Sequence, residues 1–271
     1  MAKGPSTQGT EVAATQRNPT RNLQAYDHFL RAEAQQSGVI KTDKLRLVLA
    51  EYSRAIEFDP DFSEAHAGYA RAVVEIWLRR LSAIMPGNEA RIKACEAAGR
   101  ALELDPGNAR ALIVLSRIQA REGARDNALA SARRAVAARP DDVEAHANLA
   151  LVLSNAGANF EARTELEAVR RLAHGLRPEM LLVFGQIAFA DARFEDVIAD
   201  FATAWPELPG SDLVLEHLTS ALALQGRMRQ AALMKAELLA LRPAANLHFY
   251  QAHYAFRTTE QNRSFLDGLR V

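Results

Sequence analysis

The sequence holds a single cysteine, Cys95, in 271 residues, so no internal disulfide framework can staple it. Cys95 reads as a small buried hydrophobe on a helix. Aromatic residues are scarce at 7%. No apolar run reaches the roughly 18 residues of a membrane-spanning helix. The N-terminal stretch "MAKGPSTQGTEVAATQRNPT" lacks the apolar core of a signal peptide. It is polar, with Gly4, Pro5, Gly9 and Pro19, and residues 1–20 read as a flexible tail or a vector-derived scar. A cytoplasmic setting is the expectation. Neither charge sign is in excess, with 33 basic and 33 acidic side chains. A binder that works by neutralising phosphates needs a basic surplus, so nucleic acid is not the expected partner.

Signatures of chemistry are missing too. There is no G-x-G-x-x-G, no P-loop, no C-x-x-C, no H-E-x-x-H and no G-x-S-x-G. His248 and His253 are five apart, which does not place them on one helix face. His66 and His146 fall at the same distance after a proline and read as packing residues. No metal, cofactor or catalytic residue is expected.

What is present is alanine, the best helix former because it loses no side-chain entropy, set at regular spacing. Prolines close apolar helical runs at Pro60, Pro106, Pro140, Pro209 and Pro243. Pro106 to Pro140 and Pro209 to Pro243 are each 34 residues, and His174 stands where a proline is missing between Pro140 and Pro209. Five and twelve positions before each proline lies a mostly small residue: Ala135 and Ala128, Ala101 and Ala94, Ala55 and Val48, Ala204 and Val197, Leu238 and Ala231. The preceding helices also align: "LIVLSRIQAREG", "HANLALVLSNAG", "LLVFGQIAFADA" and "LEHLTSALALQG". Gly123, Gly157 and Gly226 end three of them, where a left-handed cap suits glycine.

This pattern resembles the tetratricopeptide repeat (TPR) family, whose unit is a 34-residue helix–turn–helix with small residues at the helix crossings and a proline after the second helix. The usual first-helix tryptophan is absent, and the small residue that follows its slot is glycine only at Gly185. The resemblance implies an all-α, right-handed superhelical solenoid of about seven antiparallel hairpins over 21–271. Five regular units fall within roughly 63–243. Residues 22–58 read as an irregular first unit and 246–270 as a terminal pair. The segments "RNLQAYDHFLRAE", "DPDFSEAHAGYARAV" and "RSFLDGLRV" further resemble repeat regions found C-terminal to bacterial class III nucleotide cyclases and to winged-helix regulators. In the unit ending at Pro106, "EIWLRRLSAIMPGNEA" reads as a first helix extended up to Pro86–Gly87. Trp77, Leu78, Leu81 and Ile84 form an apolar stripe on that extension, suited to packing or to a second interface.

A repeat of this family implies a concave groove lined by first helices. Its positions are supplied here by Arg71, Arg110, Arg117, Arg121, Asn148, Asn155, Gln186 and Phe189. The segment Ala109–Arg139 carries seven arginines and two acids, whereas Phe189–Glu216 carries seven acids and one arginine. Guanidinium forks pair with carboxylates in two-bond geometry, so an acidic or C-terminal peptide is the sharp expectation for the arginine half. Of the carboxylate-clamp set known in this family only Asn148 matches a slot, so that specificity is not carried over. The expected function is a non-catalytic protein- or peptide-binding scaffold. The rival readings are a self-assembling homo-oligomer and a regulatory region of a larger signalling protein such as a nucleotide cyclase.

Overall fold

The computed structural model describes residues 19–36, 42–173, 175, 178–208, 211–243, 246–253 and 258–270. Most of the N-terminal tail (residues 1–18), His174 and Pro209 lie outside the described residues. Fourteen α-helices and a 3-10 turn at Trp205–Glu207 make up the described structure. They pack as sequential antiparallel pairs in a TPR-like solenoid. The pairs are α1 (Leu23–Gln36) with α2 (Thr42–Phe58), α3 (Ser63–Leu78) with α4 (Gly87–Leu104), and α5 (Ala109–Arg121) with α6 (Arg125–Ala138). Next come α7 (Val143–Asn155) with α8 (Asn159–Leu172), α9 (Pro178–Ala190) with α10 (Phe194–Ala204), and α11 (Asp212–Leu224) with α12 (Met228–Leu241). Helices α13 (Leu247–His253) and α14 (Thr259–Gly268) close the series. No helix among the described residues is long and apolar enough to cross a membrane.

The small residues sit where the spacing puts them. Ala55, Ala94, Ala101, Ala128, Ala135, Ala204 and Ala231 have no exposed surface. An alanine stripe lets two helix axes approach, and neighbouring Leu, Ile and Phe side chains fill the remaining volume. The slot eight residues before the proline varies in size, from Ala98 and Ala132 to Tyr52 and Phe201. Where it is large, the facing helix gives way: Tyr52 lies against Gly68, and a Cβ on Gly185 would stand 2.9 Å from the Phe201 ring. The paired histidines have one job. Nε2 of His66 lies 2.9 Å from the Pro60 carbonyl, and Nε2 of His146 lies 2.9 Å from the Pro140 carbonyl. Each ties its helix to the proline turn before it.

First helices end alike. Gly123, Gly157 and Gly226 are left-handed, with φ of 80°, 83° and 73°. In each case the glycine amide and the one after it reach back to helical carbonyls, as Gly123 N–H does to Ala120 at 3.1 Å and Ala124 N–H to Gln119 at 2.9 Å. Two further ends use the same closure without glycine, at Arg80 (φ 54°) and Ala192 (φ 57°). This corrects one expectation. The first helix of the Pro106 unit does not run on to Pro86. It stops at Leu78, Arg80 takes the left-handed position, and Leu81 N–H bonds the Ile76 carbonyl at 2.9 Å. The apolar spacing of 77–84 fits a helix, but it also fits a turn whose Leu81, Ile84 and Met85 fold back onto the first core cluster. Glycine relieves the Cβ clash that a left-handed residue carries. Ala192→Gly should therefore raise stability by about 0.5–1 kcal/mol, seen as a higher denaturation midpoint; an unchanged midpoint would show that the turn carries no strain.

Contacts between the second and the last pairs cross the array. Arg242, which caps α12, donates from Nη2 to the Arg79 carbonyl at 2.9 Å. The Arg80 guanidinium carbon lies 4.4 Å from the centroid of the Phe249 ring on α13.

Candidate partner-binding face

The candidate residues lie on the first helices of successive pairs, and Arg71, Arg110 and Arg117 form ion pairs there. Arg110 on α5 grips Glu33 on α1 through two bonds, at 2.6 and 3.0 Å. The Tyr52 hydroxyl donates to the same carboxylate. Arg117 pairs with Glu75 on α3 at 2.6 Å, and Arg71 on α3 pairs with Glu144 on α7 at 2.9 Å. Each of these links joins two first helices. Arg110–Glu33 and Arg71–Glu144 also pass over the hairpin between them.

Burial alone pushes the Glu33 and Glu75 carboxyls up. The facing guanidinium charges and hydrogen bonds outweigh it and hold both below the ordinary carboxylate range. At Glu64 burial prevails, and with the nearby Asp105 charge it raises the carboxyl. The same burial pushes the Tyr52 hydroxyl and the Cys95 thiol up. The arginine stripe of α5 is thus an internal ladder, and its acids come from helices distant in sequence.

The remaining candidates divide. Asn148, expected to line the groove, is turned inward. It is 7% exposed and donates to the Ser116 hydroxyl at 3.0 Å, which itself donates to the Ala128 carbonyl at 2.9 Å. A parallel relay one pair earlier runs from Asn108 through Ser63 to the Ala101 carbonyl. Gln186 turns back onto its own helix, bonding the Leu182 carbonyl at 3.1 Å. Asn155 is half-buried at the end of α7. Phe189 also departs from expectation: it is 4% exposed because α14 covers it, with the Phe265 ring edge-on at 5.7 Å. Repeat spacing carries no signal for this contact, because α14 is mostly polar and 70 or more residues away.

The structure joins two residue sets that lie apart in the repeat pattern. Arg121, from the expected groove, and Trp77, from the expected extension, line one cavity of about 520 Å³ together with Arg80, Ser82, Gly87, Asn88 and Arg91. Three arginines thus line it, and the guanidinium of one of them, Arg80, is stacked on Phe249. Arg91 also reaches Glu122 at 3.1 Å on the rim. Gly87 and Asn88 open α4, whose N-cap is Pro86 and makes no side-chain cap. First-turn amides of an uncapped helix favour negative charge. Leu78, Leu81 and Ile84, the rest of the expected second interface, are half-buried against the protein's own core.

With this geometry the fold is that of TPR-repeat proteins. Among solved structures, the APC/C hetero-tetramer Cut9–Hcn1 superposes with a TM-score of 0.63 at 13% identity, over 91% of this chain and 43% of that one. TTC0263, a thermophilic TPR protein of Thermus thermophilus, gives 0.54 at 18% identity over 77% and 99%. PilF of Pseudomonas aeruginosa gives 0.52 at 16% identity over 84% and 96%. At these identities the likeness establishes the fold alone. No family profile matches the sequence, and no curated protein does. None of the structures named here links the chain to nucleotide cyclases or winged-helix regulators. TPR proteins generally mediate protein–protein interactions.

Proposed function

We propose that this protein is a non-catalytic scaffold that docks a partner protein along its first-helix face, and that an acidic segment of the partner anchors in the Trp77–Arg121 cavity. The observation that carries the reading is that Arg80, Arg91 and Arg121 line one cavity. Neighbouring arginines suit an anion with bidentate geometry, and Trp77 supplies an apolar wall. Arg71, Arg110 and Arg117 tie first helices to one another through ion pairs.

The test is a lysate capture read by mass spectrometry, comparing the native chain with Arg80→Glu/Arg91→Glu/Arg121→Glu after circular dichroism shows both folded. A partner held by the native chain should be lost from the variant, and a peptide from its acidic segment should bind the native chain roughly tenfold or more tightly, with affinity falling as salt rises. Equal capture by both chains, or binding indifferent to salt, would overturn the reading.

A further inference from the structure

Helix α14 does not simply extend the stack. It lies across α7, α9 and α11, all first helices. The Gln261 side chain donates to the Ser154 carbonyl at the end of α7, at 2.8 Å. The Ser220 hydroxyl of α11 donates to the Phe265 carbonyl at 3.0 Å. The Phe265 ring is fully buried among Phe189 of α9, His217 of α11 and Tyr250 of α13, with centroids 5.7, 5.0 and 6.3 Å away. Gly268 brings the two backbones together: a Cβ there would stand 2.6 Å from the Ser220 carbonyl oxygen. Thr258 and Gln261 close a capping box that sets where the helix starts. These are the features of a helix seated in a groove, with an aromatic anchor, an amide one turn before it and a small residue three positions after it.

The seat is imperfectly filled. A cavity of about 530 Å³ remains beside α14, bounded by Asn159, Arg163, Asp191, Arg193, Glu260 and Ser264 among others. Among the described residues, the buried side-chain polar atoms without a hydrogen-bond partner are Asn159 Oδ1, Tyr250 Oη and Asn262 Oδ1. Asn159 lines that cavity, Asn262 is on α14 itself, and Tyr250 packs on Phe265. A buried polar atom left unpaired keeps its full desolvation penalty. Two of these penalties, at Asn159 in the cavity lining and at Asn262 on α14, thus fall beside the seated helix.

We infer that the face formed by α7, α9 and α11 is a receptor for an amphipathic helix of a partner protein, and that α14 is its resident, displaceable occupant. The partner helix carries the α14 pattern, an aromatic anchor with an amide four positions before it and a small residue three positions after it. It is larger on the side of the open cavity, where it pairs Asn159. A tethered helix competes at high effective concentration, so the partner's apparent affinity is reduced by the fraction of chains in which α14 is seated. This inference rests on the scaffold reading above but not on the arginine-lined cavity, which α14 does not line.

The experiment titrates a fluorescent peptide of residues 257–271 into the full chain and into full-length Gly268→Leu and Phe265→Ala, with helicity checked by circular dichroism. Gly268→Leu pushes α14 off α11, and Phe265→Ala removes its anchor without a clash, so failure of one variant to fold leaves the other. Both folded variants should bind the peptide roughly tenfold more tightly than the native chain, and a peptide with alanine at the Phe265 position should not bind. Folded variants that bind no better than the native chain, or peptides that bind alike, would overturn the proposal. A native chain that dimerises with concentration and is dissociated by the peptide would give the face to a second copy and overturn its assignment to a different partner. Failure here with the arginine-cavity result intact would leave the scaffold reading standing.

Discussion

Phe201→Ala should lower stability by about 3–5 kcal/mol, read from chemical denaturation. Phe201 has no exposed surface, and its ring stands 5.4 Å from His217 in a T-shaped contact. It fills the space that Gly185 leaves open on the facing helix. Deleting the ring removes the transfer free energy and opens a void between α9, α10 and α11 that stiff neighbouring helices close only in part. The size match gives a sharper check. Gly185→Ala should destabilise the native chain, because its new methyl meets the ring, but it should partly refill the void in Phe201→Ala. The double variant should be more stable than the sum of the single losses predicts. Strict additivity would show that the two residues do not share one space. Because repeat arrays lose stability locally, the loss should appear as faster amide exchange in α9–α11 before it appears in α1–α4.

Arg110→Ala should cost about 2–3 kcal/mol at neutral pH, since it strands a largely buried carboxylate at Glu33 rather than removing an exposed surface pair. The arginine and its carboxylate are each 28% exposed, which sets the value below that of a fully buried pair. The pH dependence identifies the mechanism. The native fold holds Glu33 below its ordinary value, so its stabilising effect is complete above the unfolded carboxylate value near ~4.3 and is lost as pH falls through the lower, folded value. In Arg110→Ala that effect is absent and Glu33 takes up its proton at higher pH. The stability gap between the two chains should therefore shrink on going from about pH 7 towards about pH 3. A gap independent of pH would mean that the arginine acts through its aliphatic stem. Arg110→Glu would add repulsion to the stranded charge, so charge reversal at this position reports on folding before it reports on any partner.

These effects separate what the sequence discloses from what it conceals. Proline spacing and buried alanines disclose the pairs, because both are local requirements of a hairpin that must bring two helices close. Helix ends are disclosed where glycine marks them. The end is concealed at Arg80, where apolar spacing runs on as though the helix continued, whereas at Ala192, also without glycine, alignment with the other units marks it. The repeat resemblance puts Arg71, Arg110 and Arg117 on first helices, but it does not name their acids. Glu33 and Glu144 lie 77 and 73 residues from their arginines, and no local pattern names such partners. The seat of α14 is concealed for a related reason. Its only apolar anchors are Phe265, Leu266 and Leu269, and Gly268 looks like a helix terminator until Ser220 is seen against it. The cavity at Trp77 and Arg121 arises where a hidden helix end brings the turn after α3 to the end of α5.

A row of hairpins joined mainly to those close by behaves mechanically as a coil spring, whose small deflections add along its length. The hydrogen bond from Arg242 to the Arg79 carbonyl, with Arg80 stacked on Phe249, pins the second coil to the sixth. A pinned spring resists stretching and opens only after the pin yields, so its compliance falls and its response to load becomes stepwise. The span between the pinned points holds α4 to α12, which includes both the arginine ladder of α5 and the helices that seat α14. Anything that pries Arg242 away from the turn after α3 would loosen both at once.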